Sequence, residues 1–177
     1  MDDNTAIQQI KNGEIEGLEL LVNKYQVKAT RTAFLITHDE SLAEDIVQDT
    51  FVRLFQHIRN FDNTRPFEPY LMRSVVNAAL NLVRREDKNI SFDDNPTLLE
   101  TLIDKAGSVE SQVEFDQLSD EILQALSKIS PRQRAVIVQR YYLGMSEKEM
   151  SKVLRIAPGT IKWLLNAARS RLRDLLS

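Results

Sequence analysis

The chain has 177 residues, with 23 Lys and Arg against 26 Asp and Glu, and a formal net charge of −3. It has no cysteine, which excludes a disulfide framework and a thiolate zinc site. No apolar run approaches the ~18–20 residues that span a bilayer, and the acidic start Met1-Asp2-Asp3-Asn4 is unlike a secretory signal, so a soluble cytoplasmic protein of one domain or two small ones is expected.

Alternating β-branched runs bounded by turns are nearly absent, whereas helical periodicity runs through most of the sequence. Residues 14–37 predict one long helix with Leu18, Leu21, Val22, Tyr25, Ala29 and Ala33 inward. From 43 to 58, Ala43, Ile46, Val47, Thr50, Phe51, Leu54, Phe55 and Ile58 recur at offsets alternating three and one, which defines a single helical face. Opposite lie Glu44, Asp45, Gln48, Asp49 and Gln56, either a solvated surface or a docking face for a basic partner. Residues 60–66 form a polar loop. Its Phe61, set among Asn60, Asp62, Asn63 and Arg65, either stacks an unpaired base or plugs the end of the domain.

A further helix runs from about Phe67 to Arg85, with Pro69 confined to its first turn. It is apolar nearly all round, except for Arg73, Asn77 and Asn81 at i+4 steps leading into Arg84 and Arg85. Asparagine is a poor mid-helix residue because its side chain competes for backbone hydrogen bonds. The stripe therefore reads either as simply exposed or as a nucleic-acid contact, with amides for base edges and arginines for phosphates.

Residues 87–109, with Asn95-Pro96, Gly107 and many acids, show no sustained period beyond a possible short turn at Leu98–Ile103 and read as a linker. Helix resumes near Glu110 and continues to about Lys128. Ser130-Pro131-Arg132-Gln133 is a capping box that opens a helix ending near Gly144, and Ser146 to Glu149 is a second. The short helix from Ser146 ends at Leu154, a turn runs through Arg155-Ile156-Ala157-Pro158-Gly159, and a longer helix starts at Thr160 with Lys162, Asn166, Arg169, Arg171 and Arg173. Two short helices around a tight turn, the second one cationic, form the pattern of a helix-turn-helix. Ile161, Leu164 or Leu165, Ala168, Leu172 and Leu175 give its buried face. Trp163 either fills the core or meets a thymine methyl, and Thr160 sits at a helix start that favours phosphate.

Charge is segregated: residues 1–89 have net −3, residues 90–118 net −6 and residues 119–177 net +6. The last part suits a polyanion, and the acidic parts suit a basic protein surface. Catalysis has little support. His38 and His57, the only histidines, make no metal-ligand spacing, and the five glycines form no phosphate-cradling loop. The fold expected is all-α, two small helical domains joined by an acidic flexible linker, with domains at 1–88 and 113–177 and the linker at 89–112.

These residues resemble a family. Ala43-Glu44-Asp45-Ile46-Val47-Gln48-Asp49-Thr50-Phe51-Val52-Arg53 is similar to the acidic segment of bacterial RNA polymerase sigma factors of the extracytoplasmic-function (ECF) group. Phe67 to Leu71, Asn77 and Arg84-Arg85 are similar to its next helix. Leu126 to Arg134, Tyr142 to Ser146 and Gly159 to Lys162 through Arg169 resemble its C-terminal domain.

The resemblance implies a specificity subunit, not an enzyme, without cofactor, metal or small-molecule substrate and not embedded in a membrane. It implies that Glu44, Asp45, Gln48 and Asp49, with Arg53, dock on the clamp coiled coil of the polymerase's largest subunit. Asn60, Phe61, Asp62, Asn63, Arg65, Arg73, Asn77, Asn81, Arg84 and Arg85 would capture and melt the promoter's upstream-ten element around a flipped base. The acidic linker would thread the RNA exit path. The C-terminal domain would sit on the flap of the second-largest subunit and read the minus-thirty-five element through Arg134, Gly159, Thr160, Lys162, Trp163, Asn166 and Arg169. An anti-sigma protein is a further expected partner.

The chain departs from the family pattern at several positions. Tyr70 replaces a usual tryptophan and Asn81 a frequent aspartate, and Leu164 and Ala167 stand where arginines are common. Ala157 stands where a capping serine is usual, a loss of about 0.5–2 kcal/mol of helix stability. Fewer cations predict weaker, less salt-sensitive binding at the minus-thirty-five element. A sigma mimic that sequesters an anti-sigma protein, and a repressor that needs no polymerase, are the alternatives.

Overall fold

The computed structural model describes residues 2–86 and 120–177. The expected linker, its turn at Leu98–Ile103 and the onset of helix near Glu110 lie outside these residues. The chain divides into two compact units, Met1–Ala79 and Leu80–Ser177, and no strand occurs among the described residues.

The first unit opens with a helix absent from the sequence reading, α1 (Asp3–Lys11), capped by Asp2, whose carboxylate accepts from the Thr5 N–H at 2.7 Å. Gly13, at φ +89°, ends it. The periodicity of 14–37 thus belongs to α2 (Glu16–Thr37), beginning two residues later. Gly17 lets the two helices meet, because a Cβ there would stand 2.2 Å from the Ala6 carbonyl oxygen. Tyr25, buried on α2, donates to Asp3 at 2.5 Å, and its burial, then this bond, push its pKa up to about 12.

His38, left-handed at φ 56°, closes α2, and Asp39 caps α3 (Glu40–His57) by accepting from the Leu42 N–H at 3.0 Å. Ala43, Ile46, Val47, Thr50, Phe51 and Leu54 are buried as the spacing predicts. Each large apolar side chain among them contributes about 1.5–3 kcal/mol by leaving water. Phe55, expected inward, remains 38% exposed.

A short 3₁₀ turn (Ile58–Asn60) and a loop lead to α4 (Phe67–Glu86). Its buried face carries Phe67, Leu71, Met72, Val75, Val76, Ala79 and Leu80.

The second unit contains α5 (Asp120–Ser127), α6 (Pro131–Ile137), α7 (Glu147–Leu154) and α8 (Pro158–Leu176). Both capping boxes form: Ser130 exchanges hydrogen bonds with Gln133, and Ser146 with Glu149. The helix predicted from Ser130 to Gly144 is α6 followed by a wider π turn (Val138–Tyr142). Leu126, Ile137, Met150, Ile161, Leu164, Leu165 and Ala168 build the core, so both Leu164 and Leu165 are inward, while Leu172 and Leu175 are half-buried.

Candidate functional site

On the first unit the α3 face turned from the core presents Glu44, Asp45, Gln48, Asp49 and Arg53, all exposed. Beside this stripe an open groove runs between α2 and α3, lined by Val22, Val27, Phe34, Val47, Phe51 and Val52 with Glu40 and Glu44. Val27 is 74% and Val52 49% exposed. Sequence periodicity missed this apolar strip, because Val27 and Val52 lie outside the inward arc of either helix and only the pairing of α2 with α3 sets them side by side. An apolar cleft edged by carboxylates offers a helix both buried area and charge register.

At the end of the unit the loop 61–66 is held by side chains. Asp62 accepts from the Thr64 N–H at 2.9 Å and its hydroxyl at 2.7 Å, bonds that hold its carboxyl below its ordinary value. Lys11 donates to the Phe61 carbonyl and to Asn63 Oδ1, each at 2.7 Å. Phe61 is 8% exposed, with ring centroids 5.8 Å from Phe67 and 4.9 Å from Tyr70. Of the two readings of Phe61, the plug at the end of the domain is the one its burial fits, and its place among the residues that capture DNA finds no support in an exposed ring. The ring anchors the loop, and Tyr70, 37% exposed, is the member of the cluster left at the surface.

Asn60, Asp62, Arg65, Arg73, Asn81, Arg84 and Arg85 are exposed, and Asn63 and Asn77 half-buried. Arg73 and Asn77 of the α4 stripe belong to the same unit as the loop, whereas Asn81, Arg84 and Arg85 fall in the second. Lys11 was missed, because nothing local in a lysine at a helix end signals a partner fifty residues away.

On the second unit Gly159 and Lys162 are exposed, and Thr160, Trp163, Asn166 and Arg169 half-buried. Ala157 caps α8 in extended geometry without a side-chain hydrogen bond. Arg169 donates through Nε to the Tyr141 hydroxyl, its guanidinium 5.4 Å from the Tyr141 ring centroid, and through NH1 to Asn166 Oδ1 at 3.4 Å. Trp163 keeps its indole N–H buried without a partner among the described residues. Lys148, Lys152 and Arg155 add exposed cations on and just after α7.

Arg134 is a correction. It is 7% exposed, and its NH1 donates to the carbonyls of Ile129 at 3.0 Å and Leu126 at 3.4 Å. Burial lowers its pKa, and the guanidinium serves carbonyls around the end of α5 instead of DNA. The missing arginine at Leu164 is also reread: the position is 2% exposed, so the leucine belongs to the core.

Among the described residues no helix is long and apolar enough to cross a membrane. Two family patterns match the chain, "Sigma-70 region 2" over residues 21–89 and "Sigma-70, region 4" over residues 119–172. The chain is 27% identical to the ECF RNA polymerase sigma factor SigW of Bacillus subtilis over 176 residues, covering 96% of this chain and 94% of that protein. It is 30% identical to the ECF RNA polymerase sigma factor SigL of Mycobacterium tuberculosis over 161 residues, covering 88% and 86%. Among solved structures it is similar to CnrH in complex with the cytosolic domain of CnrY, with TM-score 0.65, 25% identity, and 98% and 96% of the two chains covered.

Proposed function

The chain belongs to the ECF group of the sigma-70 family of RNA polymerase sigma factors, and from that premise we propose how its two units divide the work of promoter-specific transcription initiation. The first unit, within 1–88, docks on core RNA polymerase in the cytoplasm and captures unpaired upstream-ten DNA. The second, within 113–177, reads the minus-thirty-five element, and residues 89–112 tether them.

The observation that supports this best is the arrangement of the first unit. The carboxylate stripe Glu44, Asp45, Asp49 with its apolar groove lies on the α2–α3 pair, while the Asn and Arg residues lie on the separate loop and α4. A helix of the polymerase clamp would fill the groove with its apolar side and meet the carboxylates with basic residues, which sets on-rate and register. Asn60, Asn63, Arg65 and Arg73, with Tyr70 as the exposed ring, would take an unpaired base and its phosphates.

In the second unit the exposed Lys148, Lys152, Arg155 and Lys162 attract the duplex by counterion release. The amides of Gly159 and Thr160 at the start of α8 receive a phosphate, and α8 enters the major groove.

Reconstitution tests the reading. Purified chain mixed with core polymerase should form a holoenzyme that gives run-off transcripts from promoters found by mapping transcript starts after overproduction. A chain that binds those promoters without polymerase and yields no transcript is a repressor. One that binds an anti-sigma protein but not core polymerase is a mimic.

A further inference from the structure

Lys11 is the last residue of α1 and precedes the stretch matched by the region 2 pattern, which starts at residue 21. Its helix is held firmly: Ala6, Ile7 and Ile10 are buried, and Gly17 admits the Ala6 carbonyl at a distance no larger residue would allow. From this support the half-buried ammonium reaches across the unit to Asn63 Oδ1 and the Phe61 carbonyl.

An ammonium has three donors and no acceptor. The carboxamide atom that faces it must therefore be oxygen, which settles the amide's orientation. With its oxygen engaged, Asn63 has two N–H donors left and sits half-exposed on the loop. The neighbouring residues keep it there, since Asp62 is committed to Thr64, and Phe61 is locked among Phe67 and Tyr70.

We propose that Lys11 is a positioning residue for promoter recognition, orienting Asn63 so that its oxygen faces the ammonium and its N–H donors are turned to an unpaired base. The loop then selects, at one position, a base with a keto oxygen at C4 or C6 (thymine O4 or guanine O6) over one with an exocyclic amine there (adenine N6 or cytosine N4). The inference rests on the reading that the loop captures unpaired DNA.

The test uses holoenzyme assembled from full-length chain and core polymerase, and fork-junction DNA whose unpaired upstream-ten positions are randomised. Sequencing the bound pool should show keto bases enriched at one position. In Lys11→Met that enrichment should fall to parity and affinity for the selected fork should drop about tenfold, with holoenzyme formation unchanged. Lys11→Arg, still donor-only, should retain the preference. Asn63→Asp, which offers only acceptors, should shift it toward an amino base.

A Lys11→Met pool identical to the wild-type pool overturns the inference. Should that variant fail to fold, an unchanged preference in Asn63→Asp overturns it instead. The underlying reading fails separately, if Asn60→Ala, Asn63→Ala and Arg65→Ala combined leave fork affinity intact. If the combined variant weakens binding but Lys11→Met does not alter base choice, only the present inference is lost.

Discussion

In the proposed division of work the two units would meet their ligands with surfaces of opposite charge, and each would build its nucleic-acid contact differently. In the first, an acidic helix face would meet a protein, and the loop proposed to take DNA has, among the described residues, only two backbone hydrogen bonds, from the Phe61 N–H to Ile58 and from the Arg65 N–H to Asp62. Lys11, Asp62 and the Phe61–Phe67–Tyr70 cluster supply its order through side chains. In the second, the proposed contact is the start of α8, whose geometry comes from the helix itself and whose first amides are left without a capping side chain. A loop needs partners brought from afar to hold one conformation, whereas a helix end needs none and keeps its donors for a ligand. Substitutions should therefore act over long sequence distances in the first unit and locally in the second.

The largest effect should come from reversing the first unit's charge. Asp45→Arg with Asp49→Arg places like charges against a basic partner at a cost of several kcal/mol, so affinity for core polymerase should fall by at least a hundredfold, with helicity unchanged by circular dichroism. Retained affinity would remove the docking half of the comparison. Arg134→Met should come next. It deprives the Leu126 and Ile129 carbonyls of their donor, at about 1–3 kcal/mol, lowering the denaturation midpoint of the second unit while leaving fork-junction capture unaltered.

Ala157→Ser sharpens the contrast from the other side. The extended backbone at Ala157, φ −61° and ψ 145°, suits a capping serine, and about 1 kcal/mol of stability should be gained. A melting temperature that does not rise would mean that those amides already have partners. Lys162→Ala should lower the slope of log affinity against log salt by about one, and an unchanged slope would remove this lysine from the phosphate contacts.

The smallest effect is acid sensitivity. The Ser146 amide and hydroxyl hold the Glu149 carboxyl below its usual 4.5, and Thr64 holds Asp62 below its usual 3.8. A depressed carboxylate stabilises the fold above its unfolded value and loses that contribution as pH falls through the folded one. The capping box of α7 should therefore weaken first below about pH 4.5, and the loop below about pH 3.8. Amide exchange at Glu149 and Thr64, followed as pH is lowered, reads the two separately.

Much of this was legible locally. The two capping boxes, the inward residues of α3 and the helix-turn-helix follow from spacings of three and four residues. Even α1 left a trace in Asp2 as cap, Ala6, Ile7 and Ile10 at helical offsets, and Gly13 as a stop, but nine residues give a weak period. Arg134 misled because a cation beside a helix-turn-helix looks like a phosphate contact, and nothing within its own helix shows the carbonyls of Ile129 and Leu126 turned toward it. Phe61 posed a different problem. Its sequence context left stacking and plugging both open, and only contact with Phe67 and Tyr70 shows where the ring goes.

By itself the sequence determined most of the helical segments, which faces carry charge and where the two capping boxes start a helix, since these depend on residues within one or two turns of each other. Tertiary structure alone decided which polar groups face inward, which apolar ones stay outside and how Asn63 is oriented. Those outcomes depend on atoms brought together from opposite ends of a unit, such as Lys11 and Asn63, and no local spacing encodes such a meeting.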